Sequence, residues 1–320
     1  MYRVGCVLRA VCATGLWIAG AVVAGAAFAV PPGGVSATAA LTCEMRALAA
    51  LHVDLKLRGG DLFAGRFCAS SRLPREYEAA RDVIDTDLET YEAFFYVNAR
   101  TRHIDARLEQ AVMQGAVQVV VLGAGFDSRA YRFHEKYPKL AFFEVDLPAT
   151  IAAKKDAVRR VLGGSPDYVR YAPIDFNTQS LADVLASAGY DGEKKTFFVL
   201  EGVSMYVVES GVGATLDFIA RQSARGSRVV YDYIWRRVAQ GDYTGLYAAR
   251  KTATGVASLG EPFVTGWSAT EAKAFAERHG LRVLDNLGSA ELTRLYLIGS
   301  DGKPDGRLAE WIGIIEAVVP

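Results

Sequence analysis

Cysteine is scarce in this chain of 320 residues, with four, at positions 6, 12, 43 and 68. No C-x-x-C pair and no Cys/His spacing of a metal module occurs, so the sequence gives no reason to expect a bound metal. The thiols read as free. That suits a reducing compartment, although a cysteine-poor core is equally compatible with export. An excess of either charge is also missing, because 36 Lys plus Arg balance 36 Asp plus Glu. No broad basic surface for nucleic acid is implied. Internal repeats and low-complexity runs are absent.

What remains is an apolar chain, 51% hydrophobic and 22% charged. It is long enough for one large α/β domain with a full core, or at most two domains. At the N-terminus, Arg3 and Arg9 precede an uncharged stretch from Ala10 to Cys43, whose apolar part is Ala10 to Val30. Three readings compete there: a signal peptide cleaved after Ala27-Phe28-Ala29, a membrane anchor of about 20 apolar residues, or an upstream extension from a misassigned start codon. The expected location is cytoplasmic, or membrane-anchored if residues 10–30 are translated and retained. Residues 1–34 form this segment and a Pro/Gly-rich linker, residues 35–300 the main domain, and residues 301–320 a tail.

Helical periodicity with few breakers runs through 41–52 and 74–114. An alternating series follows. Strands are expected at 117–122, 140–145, 168–174, 195–200, 227–234, 281–286 and 292–298, and helices at 128–136, 149–162, 178–188, 209–224 and 269–279. Pro148 suits a first helical turn, and Ser268 with Glu271 forms a capping-box pattern. Such alternation argues for a parallel sheet covered on both faces. Only five residues separate the last two strand candidates, too few for a parallel crossover, so that pair is expected to be antiparallel. An insert at 235–266, carrying Tyr243, Tyr247, Arg250 and Phe263, follows the fifth strand. It reads either as a cover for the substrate or as a surface excursion. The tail from Leu308 to Val319 is apolar at near-helical spacing and is expected to pack onto the domain.

The most informative stretch is VQVVVLGAGFDSRAYRF, Val117 to Phe133, with FFEVDLP at Phe142 to Pro148. An apolar run ends in Gly123-Ala124-Gly125. A second ends in Asp146, 21 residues after Gly125. This is the pattern of strand, glycine turn and helix, then a strand whose end presents a carboxylate to a ribose. The third glycine of a dinucleotide fingerprint is lacking, since position 128 is Ser. Asp127 would repel a pyrophosphate. A nucleoside without phosphates fits better, and S-adenosylmethionine is the common one.

GAGFDSRAYRF and FFEVDLP, together with PIDF at Pro173–Phe176, LEGVSMYV at Leu200–Val207, ARTRHID at Ala99–Asp105 and the S-x-T-A at Ser36, resemble the leucine carboxyl methyltransferase-like family. The resemblance runs from about Ser36 to Ser300. It implies a class I S-adenosylmethionine-dependent methyltransferase: a Rossmann-like seven-stranded, mostly parallel sheet with one antiparallel strand, helices on both faces and a helical N-terminal extension. It further implies that Gly123 and Gly125 line the methionine part of the cofactor, that Asp146, with Leu147 beside it, bonds the ribose, and that Asp175 and Phe176 contact the adenine. Glu201 would face cofactor and acceptor as the catalytic candidate, and Arg100 would pair with the methionine carboxylate.

Plainer roles stand beside these. Asp146 and Asp175 could cap helices, Glu201 could be a structural ion pair, and Arg100 a solvated helical arginine. Asp127 and Arg129 either pair with each other or brace the turn. His103 and His134 are candidate bases but read as surface histidines. A carboxylate acceptor needs no base, whereas an alcohol or phenol does. The absence of an obvious base therefore favours O-methylation of a carboxylate over a hydroxyl, on a small-molecule or protein acceptor. The alternatives are an NAD(P)-dependent oxidoreductase and a catalytically silent cofactor-binding homologue.

Overall fold

The computed structural model describes residues 35–68, 74, 76–86, 93–175 and 178–320. The apolar segment 10–30 and Phe176 lie outside these. Among the described residues no helix is long and apolar enough to cross a membrane.

Among the described residues, four helices precede the sheet: α1 (Ala37–Ala49), α2 (Ala64–Phe67), α3 (Tyr77–Thr86) and α4 (Phe94–Met113). The alternating part then runs β1 (Gln118–Leu122), α5 (Arg129–Lys136), β2 (Ala141–Asp146), α6 (Pro148–Leu162), β3 (Val169–Pro173), α7 (Leu181–Ser187), β4 (Thr196–Leu200), α8 (Glu209–Arg221) and β5 (Arg228–Ile234). After β5 come α9 (Arg236–Ala239), α10 (Ala249–Ser258), α11 (Ala269–Arg278), β6 (Arg282–Leu287), α12 (Ser289–Tyr296) and β7 (Ile312–Val318). The predicted caps are present: Pro148 occupies the first turn of α6, and Ser268 and Glu271 close a reciprocal capping box on α11.

The seven strands form one sheet in the order β3-β2-β1-β4-β5-β7-β6. β1 to β5 pair in parallel, and β7 runs antiparallel to both β5 and β6. The inner strands QVVVL and TFFVL are buried at every position, as near-continuous apolar runs must be when helices cover both faces. Alternate residues feed two cores. Val119 and Val121 pack with Leu108 of α4, Tyr131 of α5 and Val158 of α6. Val120 and Leu122 pack with Leu185 of α7, Leu216 of α8 and Phe275 of α11.

Three expectations are corrected. Residues 292–298 do not form a strand: 289–296 are helix α12, with Leu292 alone fully buried in it. The final strand is instead the tail, Ile312–Val318, which inserts between β5 and β6 and is buried throughout. The antiparallel strand was thus anticipated but assigned to the wrong segment, and the domain extends through Val318 rather than ending near residue 300. Cys43 of α1 and Cys68, which follows α2, are not free thiols. They form a disulfide, with their Cα atoms 5.9 Å apart.

Candidate functional site

The strand order reverses between β1 and β4, and ligands in open α/β sheets bind at the carboxyl ends on either side of such a point. A cavity of about 520 Å³ lies there. Leu122 to Asp127 form its floor, Asp146 and Leu147 one side, and Leu200 to Val203 the other. Helix α1 and its N-cap Ser36 add Thr38, Ala39, Thr42, Arg46 and Ser36 itself to the lining.

The glycine turn could be built no other way. Gly123 has φ 70° and Gly125 φ 40°, and a Cβ on Gly123 would collide with Val203 Cγ2. The turn is pinned from beside and below. The Gly125 N–H donates to Asp146 Oδ2 at 2.7 Å, and the Leu147 N–H to Asp146 Oδ1 at 2.7 Å. Burial raises the Asp146 pKa, partly offset by those two backbone donors. Under the turn, Lys154 of α6 donates to the Ala124 carbonyl at 3.2 Å and pairs with Glu144 of β2 at 2.8 Å. Both side chains of that pair are wholly buried. Burial drives Glu144 up to about 7 against the opposing charge of Lys154.

Glu201 sits in a buried arginine network. Its Oε1 accepts from Arg100 Nε at 3.0 Å and Thr101 Oγ1 at 3.2 Å, and its Oε2 from Arg129 Nη1 at 2.6 Å. Burial works to raise its pKa, but Arg129 and Arg100 outweigh it and hold the carboxyl well below the usual range. Arg129 also pairs with Asp127, and with Asp105 at 2.7 Å. Asp127 thus pairs with the Arg129 side chain and also braces the chain after the turn, its Oδ1 accepting the Arg129 N–H at 2.6 Å, and it lines the cavity. Arg100 is not solvated: it is buried against Glu201 and, at 2.6 Å, Asp232 of β5.

Arg100, Gly123, Gly125, Asp146, Leu147 and Glu201 thus converge on one cavity. Asp175 stands outside its wall. Its carbonyl accepts from the Thr178 and Gln179 amides, in the turn that brings Gln179 and Ser180 to the cavity. The histidines are placed elsewhere. His103 is buried rather than at the surface, meets Tyr296 Oη at 3.0 Å, and is depressed to about 4 by burial and then Arg107. His134 stacks on Tyr168 at 3.5 Å between ring centroids. Neither lines the cavity.

Sequence reasoning missed Arg46 and Glu261. Arg46 lines the cavity while bonded to Asp61 at 2.9 Å and to the Phe126 carbonyl at 2.9 Å. Glu261, in the insert, accepts from Ser36 Oγ at 3.0 Å, the Ala37 N–H at 2.8 Å and Thr38 Oγ1, and so caps α1 over the cavity. Neither carried a local signal, because each works through a partner distant in sequence. Tyr206, within the quoted LEGVSMYV, also lines the wall. Its pKa is raised by burial and then by Glu261. Among the described residues no group of three or more His, Cys, Asp or Glu is placed to hold a metal ion.

The family model described as leucine carboxyl methyltransferase matches residues 42–220. YktD of Bacillus subtilis (strain 168), named as a candidate S-adenosyl-L-methionine-dependent methyltransferase, is 30% identical over 69% of this chain and 71% of its own length. SCO7813 of Streptomyces coelicolor, named in the same way, is 33% identical over 62% of this chain and 69% of its own. Among solved structures, magnesium protoporphyrin IX methyltransferase from Synechocystis with bound SAH covers 80% of this chain and 91% of its own, with TM-score 0.45 and 12% identity. That likeness is too distant to say anything of activity. With more than half of its residues matched by the family model, and a relative at 30% identity spanning more than two thirds of both chains, this chain belongs to the leucine carboxyl methyltransferase family.

Proposed function

We propose that the cavity binds S-adenosylmethionine and that the chain is a methyltransferase acting on an acceptor oxygen, most readily a carboxylate. The observation that carries the reading is the cavity itself, where a glycine turn meets a carboxylate at the sheet's switch point. The charge of the wall supports the choice of donor. Three arginines (Arg46, Arg100, Arg221) face five acids (Asp127, Asp146, Glu201, Asp217, Glu261), a formal surplus of two negative charges. Such a wall suits a sulfonium and an ammonium group and opposes the pyrophosphate of a nicotinamide dinucleotide.

Asp146 would hold the ribose, and Arg100 with Glu201 the amino-acid end. When bound, the donor supplies a methyl group already activated on sulfur, so the protein's contribution is positioning and electrostatics. The acceptor preference follows from how the polar groups of the wall are engaged: Asp146 accepts the Gly125 and Leu147 amides, Asp127 pairs with Arg129, and Asp217 pairs with Arg221 and His279. Glu201 is held as a weakly basic carboxylate by two arginines. Tyr206 is kept protonated by burial, and Glu261 is occupied by the start of α1. None of these takes a proton readily from a hydroxyl, whereas a carboxylate acceptor has none to give up. The insert, reaching the wall through Glu261, acts as a cover that excludes water.

Titration calorimetry of S-adenosylmethionine and of NADH into the wild-type protein and Asp146→Ala tests this. Donor binding that weakens by about 10- to 100-fold in the variant is expected from losing hydrogen bonds to a charged group. Tight NADH binding with no donor binding would overturn it.

A further inference from the structure

Asp232 is an acid inside an apolar strand, RVVYDYI, and is fully buried. A buried carboxylate is costly unless every lone pair is used, and here two of the residue's four partners, Gly202 and Arg100, line the cavity. Oδ1 accepts the Gly202 N–H at 2.7 Å. Oδ2 accepts Arg100 Nη1 at 2.6 Å and Tyr96 Oη at 3.1 Å. Its own carbonyl accepts Ser204 Oγ. Asp232 does not line the cavity, but Arg100, Glu201 and Gly202 do. Gly202 has φ 67°, and a Cβ there would stand 3.3 Å from Arg100 Nη1. The glycine thus lets the turn after β4 lie against the guanidinium.

Arg100 is gripped on two edges by acids of neighbouring strands, with Glu201, just after β4, on Nε and Asp232, within β5, on Nη1. The ring of Tyr96 lies 5.3 Å beneath it. A guanidinium fixed in this way recognises a ligand without first losing side-chain freedom. We propose that Asp232 is a positioning residue for the amino-acid end of the donor, setting Arg100 and the Glu201–Gly202 turn at the spacing that end requires. The proposal rests on the donor reading above.

The test compares two nucleosides that differ only at that end. S-adenosylhomocysteine carries the amino acid, whereas 5′-deoxy-5′-methylthioadenosine shares its adenine, ribose and sulfur but lacks the amine and carboxylate. Binding of each is measured by calorimetry to wild type, Asp232→Asn and Tyr96→Phe. The expected result is that Asp232→Asn weakens adenosylhomocysteine by ~10-fold or more, as for a lost bond to a charged partner, and leaves methylthioadenosine unchanged. Tyr96→Phe removes one donor from Asp232 and, with the ring retained, should weaken adenosylhomocysteine alone by roughly 3-fold. It carries the test if Asp232→Asn does not fold. Equal losses for both ligands, or none for either, would overturn the proposal, since a role in general stability cannot distinguish the two. Wild type binding both nucleosides equally would also overturn it while sparing the donor reading. Wild type binding neither would overturn both.

Discussion

The buried Lys154–Glu144 pair beneath the glycine turn makes a testable contribution to stability. Glu144 is wholly buried, and its pKa rises from 4.5 to about 7 because burial outweighs the attraction of Lys154. A carboxyl group whose pKa is higher in the folded state binds its proton more tightly there. Its contribution to stability is therefore complete below the unfolded value of 4.5 and is lost as pH rises through about 7. The full swing is about 3 kcal/mol, since each pH unit between the two values is worth about 1.4 kcal/mol. Glu144→Gln resembles the protonated side chain in shape and does not titrate. Relative to this variant, wild type should lose most of that 3 kcal/mol between pH 5 and pH 8, a change in melting temperature on the order of 5 °C. Urea unfolding of both proteins at unit pH steps measures it. A gap between them that stays flat would show that Glu144 titrates as in the unfolded chain. A gap moving in favour of wild type as pH rises would show that the ionised pair outweighs its burial cost. Either result refutes the reasoning.

Two further predictions concern the turn and α1. Gly123→Ala forces a Cβ onto a left-handed backbone and into Val203. It should cost about 1–2 kcal/mol from conformation alone, and more from the clash. Donor affinity by calorimetry should fall more than 10-fold while far-ultraviolet circular dichroism is preserved. Cys43→Ser opens a crosslink between residues 25 apart. On loop entropy it should lower stability by about 3 kcal/mol, read as the difference in melting temperature from oxidised wild type. Adding a reductant should bring wild type down to the variant, and an unchanged melt would deny the crosslink.

The parts of the fold that were legible share a cause. Strands β1 and β4 are buried on both faces, so their apolar runs stand out without any knowledge of partners. The glycine turn and Asp146 were legible because one continuous strand, turn and helix, followed by the next strand, imposes fixed spacings. The sheet's far edge was not. LTRLYLI at 292–298 has the look of a strand, and the real one, IGIIEAV, can be spaced as a helix. Short apolar runs of either kind are separated only by which neighbour offers hydrogen bonds. Here β5 and β6 offered theirs to the tail. The disulfide was hidden in the same way, because Cys43 meets Cys68 only once α1 and α2 have packed.

The site divides along the same line. Gly123, Gly125, Asp146 and Glu201 belong to strand ends, where position in the chain dictates position in space. Arg46 and Glu261 reach the cavity from segments whose placement depends on tertiary packing, and Glu261 touches Ser36 across 225 residues of sequence. Asp232 lies between these cases. Nothing local assigns it a role, yet an acid in the middle of RVVYDYI has to find partners or be expelled from the core. A lone charge within a buried strand therefore predicts that partners exist. Their identities, Arg100 from α4 and Gly202 after β4, come only from the fold.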